Sequence, residues 1–168
     1  LAIYKYYKIK KKNKKDIYPL WWILWSFGLN NFNIKSRYFY APQMEEYDNF
    51  PCSFRPYLMF FNKEKYKSKI INTDKYGFRF GYLKKEILKI ENFFKSNKKV
   101  NIVIGGSLVF GIGSTKDSNT IPSVLSKINN IPFLNFGGTA LNSKQELYLF
   151  LNFIEKFNSI NKVIIISG

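Results

Sequence analysis

A serine follows an apolar run and two glycines in the segment Gly105-Gly106-Ser107. Residues 100–104 are β-branched except for Asn101, which predicts a short buried strand. Ligands bind beyond the carboxyl ends of the strands in parallel α/β sheets, so a serine here would expose its hydroxyl at that edge. The hydroxyl could attack a carbonyl as a nucleophile, or Ser107 could simply cap a helix. Position alone leaves both interpretations open.

The loop around Ser107 differs from three common phosphate-binding or catalytic loops. It is not a Walker A loop, because no Gly-Lys-Ser/Thr follows, and Gly111-Ile112-Gly113 lacks the third glycine of a dinucleotide fingerprint. Val109 stands where the Gly-x-Ser-x-Gly elbow has its last glycine. The sequence contains no histidine and one cysteine, Cys52. These counts exclude a complete Ser-His-Asp triad, a disulfide framework and His- or Cys-based metal sites, and no metal or cofactor is predicted.

The elements that must position Ser107 alternate between strand and helix. Apolar runs predict strands at 100–104, 132–136 and 162–167. A helix is predicted from the Asn119-Thr120-Ile121-Pro122 start to about Asn129. Another begins with a capping box from Ser143 to Glu146 and buries one face, formed by Leu147, Phe150, Leu151 and Ile154. This order predicts an α/β fold, a parallel sheet with helices on both faces.

Upstream of this pattern the predicted elements are shorter. Residues 68–73 are a strand candidate, 74–77 form a turn in which Gly77 takes a positive φ, and 78–80 pair back as a hairpin strand. Helical spacing of apolar residues predicts a helix over 84–94. Arg79 is interpreted either as a functional residue or as one partner of a surface or interdomain ion pair.

Three blocks in this order resemble those of the SGNH/GDSL hydrolases. Their first block, a strand leading into Gly-Asp-Ser or Gly-Gly-Ser, is similar to 104–113 with Asp117 and the Pro122 helix. The second, a strand ending in Asn-x-Gly, is similar to 134–147, which begins Leu134-Asn135-Phe136-Gly137-Gly138. The third block of the family is a strand that ends in Gly-x-Asn-Asp. Residues 163–168 are similar to its beginning, and Gly168 resembles its glycine. Upstream, Asn72-x-Asp74-x-x-Gly77-Phe78-Arg79 is similar to a stretch that precedes the hydrolase domain in some members.

The resemblance implies a flavodoxin-like three-layer domain over 68–168 and a serine ester hydrolase, an esterase or deacetylase. Its substrate would be a small-molecule or carbohydrate ester, attacked by Ser107. The oxyanion would be held by N–H groups of Ser107, Ala140 and Gly138, with motif glycines at Gly105, Gly106, Gly137 and Gly168. The third-block Asn and the Asp-x-x-His pair of the family would lie beyond residue 168. We therefore expect a fragment of a longer enzyme that is hydrolytically silent by itself. The alternative is a non-catalytic α/β binding domain.

The net charge of +16, from 27 Lys+Arg against 11 Asp+Glu, suggests nucleic-acid binding at first sight. However, the sequence is rich in Lys, Asn, Ile, Phe and Tyr, whose codons are rich in A and T. The only arginines are Arg37, Arg55 and Arg79, although base-reading surfaces favour arginine. Composition therefore explains the charge better, and nucleic acid is disfavoured as a partner.

Residues 1–67 are predicted to be a basic and aromatic N-terminal extension, and its part from 35 to 67 is predicted to be irregular because Pro42, Pro51 and Pro56 interrupt it. Within it, a basic run at 4–15 precedes an apolar patch at 17–29 that holds all three tryptophans. The patch is shorter than the roughly 20 residues that span a bilayer. Two interpretations stay open: residues 4–29 contact a membrane surface, or they pack on the rest of the domain.

Overall fold

The computed structural model of the chain describes residues 38–167. The predictions that concern residues 4–29 and Gly168 lie outside these residues. The compact unit begins at Gln43. Its elements, in chain order, are α1 (Gln43–Asp48), β1 (Cys52–Arg55), β2 (Met59–Asn62), β3 (Gly81–Leu83), β4 (Glu86–Leu88), a 3-10 helix (Ile90–Phe93), β5 (Val100–Gly105), α2 (Ser107–Phe110), a second 3-10 helix (Asp117–Asn119), α3 (Ile121–Asn129), β6 (Phe133–Gly137), α4 (Ser143–Ile154) and β7 (Ile160–Ile166).

A parallel sheet of three strands, in the order β6–β5–β7, forms the centre of the unit. Ile102 of β5 lies opposite Leu134 of β6 and Val163 of β7. Every residue of β5 is buried, because this strand has a neighbour at each edge and packing on each face. The three strands and their parallel pairing confirm the α/β class predicted from the continuous apolar runs.

The two faces of β5 pack against different helices, because successive side chains of a strand point to opposite faces. Ile102 and Ile104 belong to a large core cluster that includes Leu149 of α4. Val103 belongs to another cluster, against which Leu125 of α3 packs. The sheet is therefore flanked by helices, whereas the finer flavodoxin-like arrangement stays a prediction.

The segment predicted as a helix over 84–94 is instead a β-hairpin followed by a 3-10 helix. Leu83 pairs with Glu86, so that β3 and β4 are joined by a tight turn in which Lys84 has a φ of 56°. Leu88, the last residue of β4, is buried where it pairs with Gly81, and Ile90 and Phe93 are the buried residues of the 3-10 helix. The helix prediction was wrong because so short an apolar pattern fits both periods.

The predicted strand at 68–73 is absent from the described elements, and only isolated bridges join Lys67 to Asn72 and Thr73 to Arg79. The Ser68 hydroxyl accepts hydrogen bonds from the N–H groups of Ile70 and Ile71, which turns the chain locally instead of extending it. The pairing is therefore reduced to the Thr73–Arg79 bridge and its two flanking hydrogen bonds, from the Phe80 N–H to the Asn72 carbonyl and from the Asp74 N–H to the Phe78 carbonyl.

The turn at 74–77 forms as predicted, with a φ of +86° at Gly77. Asp74 Oδ1 accepts hydrogen bonds from the N–H groups of Tyr76, at 2.8 Å, and Phe78, at 3.0 Å. The aspartate therefore organises its own turn, as short polar side chains commonly do.

Helix α4 begins one residue earlier than the predicted capping box places it. Asn142 is the N-cap, its side chain accepts from the N–H of Gln145, and the Gln145 side chain accepts from the N–H of Asn142. The predicted buried face is also wrong, since Leu147 and Leu151 are 56% and 55% exposed. Apolar residues lie all around this helix, so periodicity alone did not identify the inner face.

Residues 43–67, which the sequence placed in an irregular extension, form α1 and the antiparallel β1–β2 hairpin. Leu58 and Phe61 enter the same core cluster as Ile102, and Phe61 contacts Phe78 with ring centroids 5.2 Å apart. The compact unit therefore includes this segment.

None of the helices in the described part of the chain has the length and apolar character needed to cross a membrane.

Candidate functional site

Ser107 is the first residue of α2 and follows β5 after a single residue, Gly106. The N-cap position belongs to Gly106, and no side chain caps this helix. Ser107 is exposed, and its hydroxyl makes no hydrogen bond to the described residues. The interpretation that Ser107 serves as a helix cap is therefore wrong, and the hydroxyl is left for a ligand or solvent.

A cleft of about 160 Å³ opens beside Ser107. Its walls come from the ends of all three parallel strands and the loops that follow them: Gly106, Ser107, Leu108, Ala140, Leu141, Ile166 and Ser167. This is the carboxyl edge of the sheet, where ligands bind in open α/β folds. The structure thus brings together Gly106, Ser107 and Ala140, three of the residues selected from the sequence.

Close backbone approach explains two of the motif glycines. A Cβ atom on Gly137 would lie 2.1 Å from the backbone nitrogen of Phe110, and one on Gly105 would lie 2.2 Å from the carbonyl oxygen of Ile166. No side chain fits at these distances, so β6 can reach α2 and β5 can reach β7 only through glycine. Gly105 and Gly137 therefore let the elements around the cleft approach one another closely, without offering a functional group.

The loop after β6 presents Ala140 to the cleft in an unusual backbone conformation. Ala140 has a φ of 55°, in the left-handed region that glycine prefers, and the resemblance places a family glycine at this position. The N–H groups of Ser107 and Ala140 have no backbone or side-chain acceptor within residues 38–167. By contrast, the Gly138 N–H, predicted to help hold an oxyanion, donates to the carbonyl of Gly105 at 3.2 Å. Two of the three predicted donors thus remain free.

Two buried asparagines hold the loops of the site in place. Asn135 Nδ2 donates to the carbonyl of Val109 at 2.9 Å, and its Oδ1 accepts from the N–H of Gly137 at 2.9 Å. Asn62 Nδ2 donates to the carbonyl of Gly137 at 3.1 Å, and its Oδ1 accepts from the N–H of Thr139 at 3.2 Å. The sequence analysis included Asn135, because it belongs to the second block of the resemblance, but it missed Asn62. The sequence marks Asn62 only as a polar residue at the end of a short apolar strand.

Arg79 forms a buried ion pair with Asp117, not the surface or interdomain pair that the sequence suggested. Arg79 is 1% exposed, and its Nε donates to Asp117 Oδ1 at 2.7 Å. Its Nη1 donates to the carbonyls of Phe110 at 3.1 Å and Gly111 at 3.0 Å, at the end of α2. Asn72 Nδ2 also donates to Asp117, at 2.7 Å. The upstream stretch therefore anchors the helix that begins with Ser107.

Comparison of the sequence with models of protein families and with curated proteins finds no match. The functional argument therefore depends on the geometry of the site itself.

Glu146, predicted to complete a capping box, is instead a buried carboxylate beneath the serine turn. It is 2% exposed, and neither carboxylate oxygen has a hydrogen-bond partner. A Cβ atom on Gly106 would lie 3.4 Å from the carbonyl oxygen of Leu141 and 3.5 Å from Glu146 Oε1, so a side chain at position 106 would contact both oxygens. A glycine before Ser107 and a glutamate on α4 are thus spatially coupled.

This coupling predicts the outcome of a double-mutant cycle. Gly106→Asp should destabilise the protein by about 1–3 kcal/mol, because a second carboxylate is brought next to the buried Glu146 carboxylate. In a Glu146→Gln background the amide can donate to the new carboxylate, so most of this loss should disappear. Free energies of unfolding from urea titrations measure the coupling. Gly106→Asn is the size-matched control, and an equal loss with asparagine would mean that volume rather than charge causes the effect.

Proposed function

We propose that this chain carries the nucleophile and oxyanion hole of an SGNH-type serine ester hydrolase. The observation that carries the proposal is the exposed Ser107 hydroxyl, which has no hydrogen bond to the described residues. It stands in a cleft that it shares with Ala140, and the N–H groups of both residues are without an acceptor in the described chain. A nucleophile next to unpaired backbone donors is the arrangement that acyl transfer requires.

In the proposed reaction, Ser107 Oγ attacks the ester carbonyl carbon and gives its proton to a base. The carbonyl oxygen becomes an oxyanion, which the N–H groups of Ser107 and Ala140 stabilise. The bond to the alcohol then breaks, and the alcohol leaves with the proton from the base. Water attacks the acyl-Ser107 ester and releases the acid. Because the sequence contains no histidine, a histidine base must come from outside these 168 residues.

The size of the cleft favours a short acyl group. Its volume of about 160 Å³ lies below the roughly 300–1,000 Å³ typical of pockets for drug-sized ligands. Leu108, Leu141 and Ile166 line it with apolar surface, which suits the methyl group of an acetyl ester. A deacetylase, acting on an acetylated carbohydrate or small molecule, is the activity we assign to the site.

Covalent labelling with a fluorophosphonate tests this proposal on the protein encoded by the full gene. We expect modification of Ser107, found by mass spectrometry of peptides, and its loss in Ser107→Ala. Ser143→Ala is the matched control, because Ser143 is also exposed and also the first residue of a helix, α4. The folded 168-residue chain alone should remain unlabelled. Absence of labelling in the folded full-length protein would replace the enzyme with a non-catalytic binding domain.

A further inference from the structure

One of the three large apolar side chains that line the serine cleft is buried in the main core. Leu141 is 6% exposed and belongs to the large cluster around Ile102, although it also lines the cleft. By contrast, Leu108 is 60% exposed, and Ile166 packs against the cluster on the opposite face of the sheet. Leu141 is therefore the fixed wall of the cleft, because close packing around a buried side chain leaves it little space to move.

The backbone on each side of Leu141 is also held in place. Ala140, one of the two proposed oxyanion donors, precedes it with a φ of 55°, and Asn142, the N-cap of α4, follows it. The side chains of Asn142 and Gln145 each accept a hydrogen bond from the backbone N–H of the other residue, at 3.0 Å. Leu141 thus stays next to Ala140, beside the carbonyl group of a bound ester.

Gly138 leaves the space that the Leu141 side chain fills. A Cβ atom on Gly138 would lie 2.4 Å from Leu141 Cδ1, 2.8 Å from its Cγ and 3.0 Å from Phe61 Cε2. The isopropyl group of Leu141 therefore lies over Gly138 and beside Phe61. Removing this group would open a cavity that joins the cleft, since the surrounding side chains relax only partly after such a truncation.

We propose that Leu141 determines the length of the acyl group that the serine cleft accepts. This inference rests on the proposed esterase function and deepens it. The acyl chain extends from the carbonyl carbon toward Leu141, which leaves space for a methyl group and excludes longer chains. An acetyl ester fits, whereas a butyryl ester meets the isopropyl group. Because apolar cavities bind apolar groups, the cavity in Leu141→Ala would accept the longer chain.

Hydrolysis of p-nitrophenyl acetate and p-nitrophenyl butyrate by the protein encoded by the full gene tests this inference. In Leu141→Ala the ratio of kcat/KM for butyrate to kcat/KM for acetate should rise at least about tenfold, because one methylene group in an apolar pocket changes such discrimination about 10–200-fold. The ratio compares two substrates of one enzyme preparation. A lower fraction of folded enzyme therefore cancels and does not change it.

Leu149→Ala is the matched control, because Leu149 is 1% exposed in the same core cluster but does not line the cleft. It should lower the Tm, as Leu141→Ala does, and leave the ratio unchanged. Leu141→Val is a smaller truncation for the case in which Leu141→Ala does not fold. It should raise the ratio about fourfold, as expected for one buried CH₂ group.

An unchanged ratio in the folded Leu141 variants, or an equal rise in Leu149→Ala, would overturn the inference and leave the esterase function intact. The same holds if Leu141→Ala changes the preference between p-nitrophenyl acetate and 1-naphthyl acetate instead, because Leu141 would then contact the alcohol. If the wild type hydrolyses neither p-nitrophenyl ester and the fluorophosphonate leaves Ser107 unmodified, the proposed function fails, and this inference fails with it.

Discussion

Replacing Arg79 with methionine is expected to lower the free energy of unfolding by about 3–5 kcal/mol. The change leaves the Asp117 carboxylate buried without its charge partner. It also removes the donors that bind the carbonyls of Ile70, Phe110 and Gly111. Methionine fills a similar volume, so the loss reports the missing charge and hydrogen bonds rather than a cavity.

The loss in Arg79→Met should depend on pH. Burial raises the pKa of the Asp117 carboxyl, while Arg79 and Asn72 act in the opposite direction. Removing the guanidinium therefore raises this pKa further, so the folded variant takes up a proton as pH falls. The destabilisation should be larger at pH 8 than at pH 5, as measured by urea unfolding at both values.

The partly exposed pair of Arg55 and Glu64 provides the control for Arg79. Its side chains are 30% and 27% exposed, and such pairs contribute at most about 1 kcal/mol. Arg55→Met should therefore cost far less than Arg79→Met. Similar losses in the two variants would contradict a special role for the buried pair.

Replacing Asp74 with asparagine is expected to stabilise the protein above neutral pH. Asp74 is 3% exposed, and burial together with the neighbouring Glu91 charge raises the pKa of its carboxyl to about 7. An asparagine side-chain oxygen can still accept from the N–H groups of Tyr76 and Phe78, which now bond to Asp74 Oδ1. The variant keeps the turn and loses the buried negative charge.

The pH range of this effect follows from the direction of the shift. Since the folded state holds the Asp74 proton more tightly than the unfolded state, the wild-type free energy of unfolding falls as pH rises from about 4 to about 7. Relative to wild type, Asp74→Asn should gain stability across this range, reaching up to about 4 kcal/mol at pH 8. At pH 4 the two proteins should be nearly equal in stability.

Urea unfolding at several pH values measures the difference between the two proteins. Glu91→Gln should reproduce part of the gain, because it removes the repulsion that Asp74 experiences. Glu86→Gln, at an exposed position at the start of β4, should show no such trend. A constant difference between Asp74→Asn and wild type from pH 4 to pH 8 would show that folding does not raise the pKa of the Asp74 carboxyl.

Local patterns were enough to predict the part of the fold that carries the site. The apolar runs around Ile102, Leu134 and Ile164 became the parallel strands β5, β6 and β7. The same apolar pattern also identified the serine that follows β5 and the glycines of the loops as candidate site residues. These features are predictable because a central parallel strand is apolar on both faces, and because a close backbone approach at Gly105 or Gly137 excludes every side chain.

The predictions from local sequence patterns were wrong where the same pattern of residues is compatible with two different local structures. The apolar residues between Lys84 and Phe94 fit a helix, but Leu88 is buried as the last residue of a hairpin strand and Ile90 as the first residue of a 3-10 helix. The capping box of α4 shifted from Ser143 to Asn142, because either side chain suits an N-cap. In each case packing against the rest of the chain selected one of two locally acceptable structures.

The sequence by itself determined the α/β class, the parallel strands and the place of Ser107 at the carboxyl edge of the sheet. Only the tertiary structure decided that Arg79 and Asp117 meet in the interior, that Asn62 holds the loop after β6, and that Glu146 lies under Gly106. Strand and turn propensities act between residues close in the chain. Burial of a charge and its pairing depend on residues distant in sequence, which folding alone brings together.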